Sequence, residues 1–312
     1  MRANELWILV TATVVSLTLT PLAAMLAVRL EMLDRPDPRK LHSSPTPLLG
    51  GLAIYVAFLL SIGLFLPGAF WREAAAVVGG GTLLLLTGIL DDRGLLHPQV
   101  KLMGVMPLAA LILALSGIQI ASWPFSSYLP EAAHGPFSLT VTVFWIVGVT
   151  AAFSILDHMD GLCAGVAAIA SVFFLLFGLL QDDVLVSSLA AAVLGGALGF
   201  LKWNFKPAKI FLGDGGAMFL GFMLATLGLK TTSGGQGYNW VVPVLVLGVP
   251  IFDTALIIVS RLRRGLLPFS SPGKDHTAHR LANLGLGQKK AVLSLYIVGW
   301  AFGLIALVFG LR

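Results

Sequence analysis

Charge is scarce in this chain. Only 11% of its 312 residues are Asp, Glu, Lys or Arg, where soluble domains carry about 25%. That scarcity excludes a water-facing shell around an apolar core. Cysteine is scarcer still: Cys163 stands alone, so no internal disulfide can form. No internal repeat or low-complexity tract is present, which argues against a solenoid or a linker-built array. What fills the chain instead is apolar: 57% of residues are hydrophobic, and the mean hydropathy is +0.91. A helix needs about 20 apolar residues to cross the hydrocarbon of a bilayer, and residues 6–28 run without a single charge. That run is too long for the core of a secretory signal, and the head before it carries one basic and one acidic residue. A first spanning helix is the expected reading.

Ten spans are expected, over about 6–28, 48–66, 74–90, 102–117, 138–156, 162–180, 184–201, 211–229, 240–260 and 291–310. The fold class this implies is all-α: a polytopic transmembrane helical bundle forming one domain over 1–312. Basic residues test the orientation. With the N-terminus outside, only Arg2, Arg72, Lys230 and Arg312 fall on the outer side, and every other Lys and Arg falls in inner loops. This positive-inside bias places those loops in the cytoplasm. The net charge of +5 therefore follows the membrane and does not point to nucleic acid.

The inner loops also collect acids and histidines at helix ends. Asp91-Asp92-Arg93 closes an apolar helix, with Lys101 opening the next. Two adjacent anions repel, so the pair needs a metal ion, a lysine or a shared proton, and acids are disfavoured at a helix C-terminus. In Leu156-Asp157-His158-Met159-Asp160-Gly161 the two aspartates sit three apart and share a face in one helical turn; a plain polar hinge is the alternative. Within Asn204-Phe205-Lys206-Pro207-Ala208-Lys209-Ile210-Phe211-Leu212-Gly213-Asp214, the last residue interrupts an apolar run, where an ionisable group is expensive and usually functional. The longest inner loop carries Arg261, Arg263 and Arg264, then Lys274-Asp275-His276-Thr277-Ala278-His279-Arg280. His276 and His279 suit an anion or a nucleotide. They also suggest zinc, but no third soft ligand accompanies them. The first inner loop holds Asp34, Asp37, Arg39, Lys40, His42 and Gly50-Gly51, with Lys40 and His42 as candidate phosphate donors. Gly195 and Gly199, four apart, are assigned to helix packing. Asp253, inside an expected span, is read as a helix–helix hydrogen-bonding group.

Acids for a divalent cation and cations for phosphate on one membrane face suit phosphoryl transfer, where catalysis is mainly positioning and charge neutralisation. A hard ion such as Mg²⁺ takes oxygen ligands.

The order and spacing of these five motifs resemble the polyprenyl-phosphate N-acetylhexosamine-1-phosphate transferases. The resemblance runs from about Asp34 to Leu281. It implies an Mg²⁺-dependent membrane enzyme, with Mn²⁺ as a substitute ion. Such an enzyme would move a sugar-1-phosphate, GlcNAc-1-phosphate first among the options, from a UDP-sugar to undecaprenyl phosphate. The products would be UMP and a lipid-diphosphate-sugar, at the start of cell-envelope polysaccharide synthesis. It further implies that Asp91 and Asp92 form the lipid-phosphate and metal site, with Asp91 as base, and that Asp214 is a direct metal ligand beside Asp92. Asp157 and Asp160 would contact the nucleotide-sugar or support the metal. Lys40, His42, Lys101, Asn204, His276, His279 and Arg280 would bind substrate, and a homodimer is implied by the family alone. Ser154 and His158 stand where the family usually has Asn and Gly, and Ala278 replaces a middle histidine, departures that bear on the donor more than on the reaction. Competing expectations are a different N-acetylhexosamine donor, an inactive scaffold relative, and a transporter using the inner acids as an ion site. A transporter site belongs near the midplane, whereas these acids sit at helix ends.

Overall fold

The computed structural model describes residues 2–35, 44–120, 130–232, 240–266 and 275–311. The helices follow the apolar runs because backbone polar groups in hydrocarbon must be satisfied within the segment. In order they are α1 (Ala3–Arg29), α2 (Gly50–Phe65), α3 (Trp71–Asp92), α4 (Pro98–Val100), α5 (Met106–Leu115), α6 (Glu131–Leu156) and α7 (Leu162–Leu180). There follow α8 (Val184–Asn204), α9 (Gly213–Thr232), α10 (Val241–Val246), α11 (Gly248–Leu262), α12 (Thr277–Leu281) and α13 (Gly287–Gly310). Every expected span has a helical counterpart, and six helices, counting contiguous helical pieces together, are long and apolar enough to cross a membrane by length and composition.

Two expected spans are not single helices, and proline accounts for both. The segment expected over 240–260 divides at Leu247 into α10 and α11. Pro250 offers no N–H, and its ring crowds the carbonyl of Val246, four residues back. The segment expected over 102–117 opens with a π-helical turn, Lys101–Val105, before α5; Pro107 likewise crowds the carbonyl of Met103, and a wider turn relieves the clash.

The core centres on α9, which packs against α2, α3, α6, α7, α8 and α10 and is buried along almost its whole length. In α7 and α8, 83% of the apolar stretch lies inside the protein, against 28% in α1. The exposed leucines, valines and isoleucines of α1 and α13 are therefore the lipid-facing surface. Small residues allow the inner helices to come close. A Cβ on Gly195 or Gly199 would lie 2.5 Å from a backbone oxygen of α1, at Leu9 or Thr13, which confirms the packing role of that pair. A Cβ on Gly88 in α3 would stand 2.2 Å from the nitrogen of Gly215 in α9.

A short antiparallel pair, β1 (Leu33–Asp34) with β2 (Thr46–Pro47), leads into α2. The backbone N–H of Gly50 and of Gly51 donate to the carbonyls of Phe211 and Leu212 at 3.0 and 2.9 Å. The entry to α2 is thereby stitched to the turn that starts α9.

Candidate active site

Asp91 and Asp92 end α3, and the geometry explains why acids stand at a helix C-terminus. Asp92 faces the opening turn of α9, where its Oδ1 accepts the Asp214 N–H at 3.0 Å. The carboxylate thus meets the positive end of a different helix. Gly213 allows the approach: its φ of +75° is left-handed, and a Cβ there would lie 2.6 Å from Asp92 Oδ2. Lys101 Nζ donates to Asp91 Oδ2 at 2.6 Å and also to Asp214 Oδ2. Ser154 Oγ donates to Asp214 Oδ1 at 3.1 Å. Residues from α3, the π-helical turn, α6 and α9 therefore converge on Asp214.

The α6–α7 turn completes the acidic side. Burial first, and then the carboxylates of Asp214, Asp92 and Asp160, push the Asp157 carboxyl well above the usual carboxylate range. Asp160 faces elsewhere: its Oδ2 accepts the Ala208 N–H at 3.1 Å, holding the 205–212 loop. Asn204, expected to touch substrate, has its amide engaged at both ends. It donates to the Ile210 carbonyl at 3.0 Å and accepts from Gly161 N–H at 3.0 Å. Asn204 is a buried link between two loops. Tyr296 of α13 donates to the Gly161 carbonyl at 2.5 Å; no sequence motif marks it, and a hydroxyl within an apolar helix was the available signal.

A second cluster lies around His276. Its Nδ1 is 3.0 Å from Asp253 Oδ2, and Asp253 Oδ1 accepts the Thr277 N–H at 2.6 Å. Asp253 of α11 therefore makes the expected helix–helix hydrogen bond, to the first residue of α12, and also holds His276 just before it. The His158 ring lies 3.8 Å from that of His276 and 4.9 Å from that of His279, centroid to centroid. Burial, and after it the two neighbouring imidazoles, outweigh the pull of Asp253 and push the His158 pKa down to about 3. Arg280 donates through Nε to the Asp275 carbonyl at 2.9 Å and through a terminal nitrogen to Ser260 Oγ at 3.0 Å. Asp275 is held below its usual range by its bond to Arg264, at 2.6 Å. Lys40 and His42, with Asp37 and Arg39, lie outside the described residues.

Residues 74–232 match glycosyl transferase family 4. The chain belongs to that family. A probable undecaprenyl-phosphate N-acetylglucosaminyl 1-phosphate transferase of Bacillus subtilis is 34% identical, covering 94% of this chain and 81% of the relative. A decaprenyl-phosphate N-acetylglucosaminephosphotransferase of Mycobacterium leprae is also 34% identical, over 96% and 82%. An undecaprenyl-phosphate alpha-N-acetylglucosaminyl 1-phosphate transferase of Thermotoga maritima is 31% identical, over 94% and 87%. The family match takes in Asp91, Asp92, Lys101, Asp157 and Asp214, while Asp253 and His276 lie beyond its end.

Proposed function

We propose that this family 4 transferase moves N-acetylglucosamine-1-phosphate from UDP-GlcNAc to undecaprenyl phosphate at the cytoplasmic face of the bacterial plasma membrane. The observation that carries the reading is Lys101 bridging Asp91 and Asp214 beside Asp92. The names of the relatives supply the lipid and the sugar phosphate, and the distribution of Lys and Arg supports the sidedness.

The donor set fits a hard divalent cation. Asp91, Asp92, Asp157 and Asp214 offer only oxygen, and Lys101 is the ammonium that hydrogen bonds place among them. Asp92 and Asp214 would hold the ion, Mg²⁺ or Mn²⁺ by its preference for carboxylates. Once bound it supplies charge neutralisation for two anionic reactants. Asp91, paired with Lys101, takes the proton from the lipid phosphate. Lys101 carries positive charge to the incoming phosphate. His276, His279 and Arg280, on the neighbouring loop, orient the pyrophosphate and sugar. An oxygen of the lipid phosphate then attacks the phosphorus that bears the sugar. The bond from that phosphorus to the bridging oxygen breaks, and UMP leaves with that oxygen.

The test incubates purified protein with undecaprenyl phosphate, Mg²⁺ and a panel of UDP-sugars and measures UMP. UMP release that depends on UDP-GlcNAc and on the lipid, and that is lost in Asp92→Asn with folding intact, is the expected result. Silence with every donor, or full activity in Asp92→Asn, would refute the assignment.

A further inference from the structure

The His158, Asp253 and His276 side chains come from three separated parts of the chain: the α6–α7 turn, α11, and the start of α12. Each offers one ligand atom, and these atoms lie within 4.8 Å of one another. Among the described residues this is the group of metal-ligating side chains so arranged.

His158 carries a second, independent observation. Its Nδ1 is 3.2 Å from the Ile155 carbonyl. A carbonyl only accepts, so this nitrogen carries the hydrogen and Nε2 presents a lone pair. That Nε2 is buried and has no hydrogen-bond partner. A buried acceptor without a partner pays its desolvation cost uncompensated, so its persistence calls for an occupant. A ring whose other nitrogen donates to a backbone carbonyl is how protein imidazoles are usually set to ligate metals. Asp253, only 2% exposed, supplies anionic charge on the same side as the His276 ring.

We propose that His158, Asp253 and His276 bind a divalent transition-metal ion of zinc type, through one nitrogen of each histidine and one oxygen of Asp253. Two imidazoles and a carboxylate select a borderline ion over Mg²⁺, which takes oxygen ligands. Ligand atoms around tetrahedral zinc stand about 3.3 Å apart, given bonds of about 2.0–2.1 Å. The cluster must therefore contract by no more than about 1.5 Å on binding. Three protein ligands leave a fourth position open, the pattern of sites where an exchangeable oxygen completes the shell. That oxygen belongs to water, or to a substrate lying against His279 and Arg280. Metal binding here is measurable apart from the transfer reaction, since it needs no substrate and no Asp91, Asp92 or Asp214.

The test uses the full chain in detergent, stripped with a chelator and titrated with Co²⁺ as a spectroscopic stand-in for zinc. One equivalent with a tetrahedral visible absorption band is expected, displaced by Zn²⁺ and untouched by excess Mg²⁺. His158→Ala weakens binding by about 100-fold or more, at least the upper end of what losing an outer partner costs. Should His158→Ala fail to fold, Asp253→Asn reports in its place with a loss of at least about 10-fold. Asp92→Asn, expected to be inactive in transfer, keeps the band, so the two assignments fail separately. Absence of the band in the wild type overturns the proposal. So does unchanged affinity in the histidine or Asp253 variant, or a band that disappears with Asp92→Asn and thereby locates the ion among the acids.

Discussion

Asp157 and His158 are neighbours in the chain, yet they face two different kinds of site. Asp157 joins Asp92 and Asp214, where every donor is a carboxylate and the balancing charge is Lys101. His158 stacks against His276 and His279, where imidazoles dominate and the balancing charge is Asp253. In the first, burial raises an acid toward its neutral form; in the second, burial lowers a base toward its neutral form. Desolvation disfavours charge of either sign, so one tight turn between α6 and α7 presents an acid and a base, each shifted toward its uncharged form, to clusters of different donor type. On the reading proposed above, the oxygen donors and the lysine serve the phosphates, with nitrogen donors beside them.

The largest effect that would sharpen this contrast is on turnover. Asp214→Asn removes the carboxylate on which Lys101 and Ser154 converge, and UMP release should fall by about 10²–10³-fold, as when one transition-state stabiliser is lost. The same fall in a His158 variant with intact Asp214 would erase the distinction between the clusters.

Lys101→Met comes next. It leaves Asp91 and Asp214 facing each other without a cation, at side-chain exposures of 15% and 25%. Breaking a fully buried pair costs about 3–5 kcal/mol. Partial exposure reduces that, so a loss of about 1–3 kcal/mol is expected, read as a lower unfolding temperature that added Mg²⁺ partly restores. An unchanged unfolding temperature would show that the acids do not depend on this lysine.

The third prediction concerns pH. His158 titrates at about 3 in the folded protein and near 6.5 unfolded, so the unfolded chain binds the proton first. Stability is fully present above about pH 6.5 and declines as pH falls toward 3, at up to about 1.4 kcal/mol per unit. His158→Gln should flatten that slope; an identical slope in the variant would remove His158 from the account.

The smallest effect is expected from Tyr296→Phe, which deletes the hydroxyl donated to the Gly161 carbonyl in the turn the two clusters share. A loss of about 1 kcal/mol in thermal unfolding is the expected pattern, with Co²⁺ binding and UMP release both reduced less than in the His158 and Asp214 variants. A selective loss of one activity would mean that the turn serves one cluster alone.

Much of the architecture was legible from the residues. Hydrophobic runs place helices because hydrocarbon leaves the backbone no other partner, and Gly195 with Gly199 announced a close crossing that α1 fills. Asp91, Asp92, Lys101 and Asp214 were recognisable because charge at the end of an apolar helix is costly without a task. Other assignments were not legible. Asn204 sits among motif residues, and only the fold shows that its amide bonds Gly161 and Ile210. Asp253 does make a helix–helix bond, but nothing in the local sequence connects it to its partners His276 and Thr277 at the start of α12. The two interrupted spans show the same boundary: Pro107 and Pro250 were visible, yet whether each bends, widens or breaks its helix depends on what the neighbours can satisfy.

By itself, then, the sequence determined that this chain lives in a bilayer, where its helices run, and which ionisable side chains gather at their ends, because each of these depends on the local cost of placing a polar group in hydrocarbon. Only the tertiary structure decided which of those side chains meet. Asp92 reaches the start of α9, Lys101 spans two acids, and His158 finds Asp253 and His276, because close glycine contacts and proline breaks bring distant segments within hydrogen-bonding range. Electrostatic partnership is a matter of a few ångströms in space and is indifferent to separation along the chain.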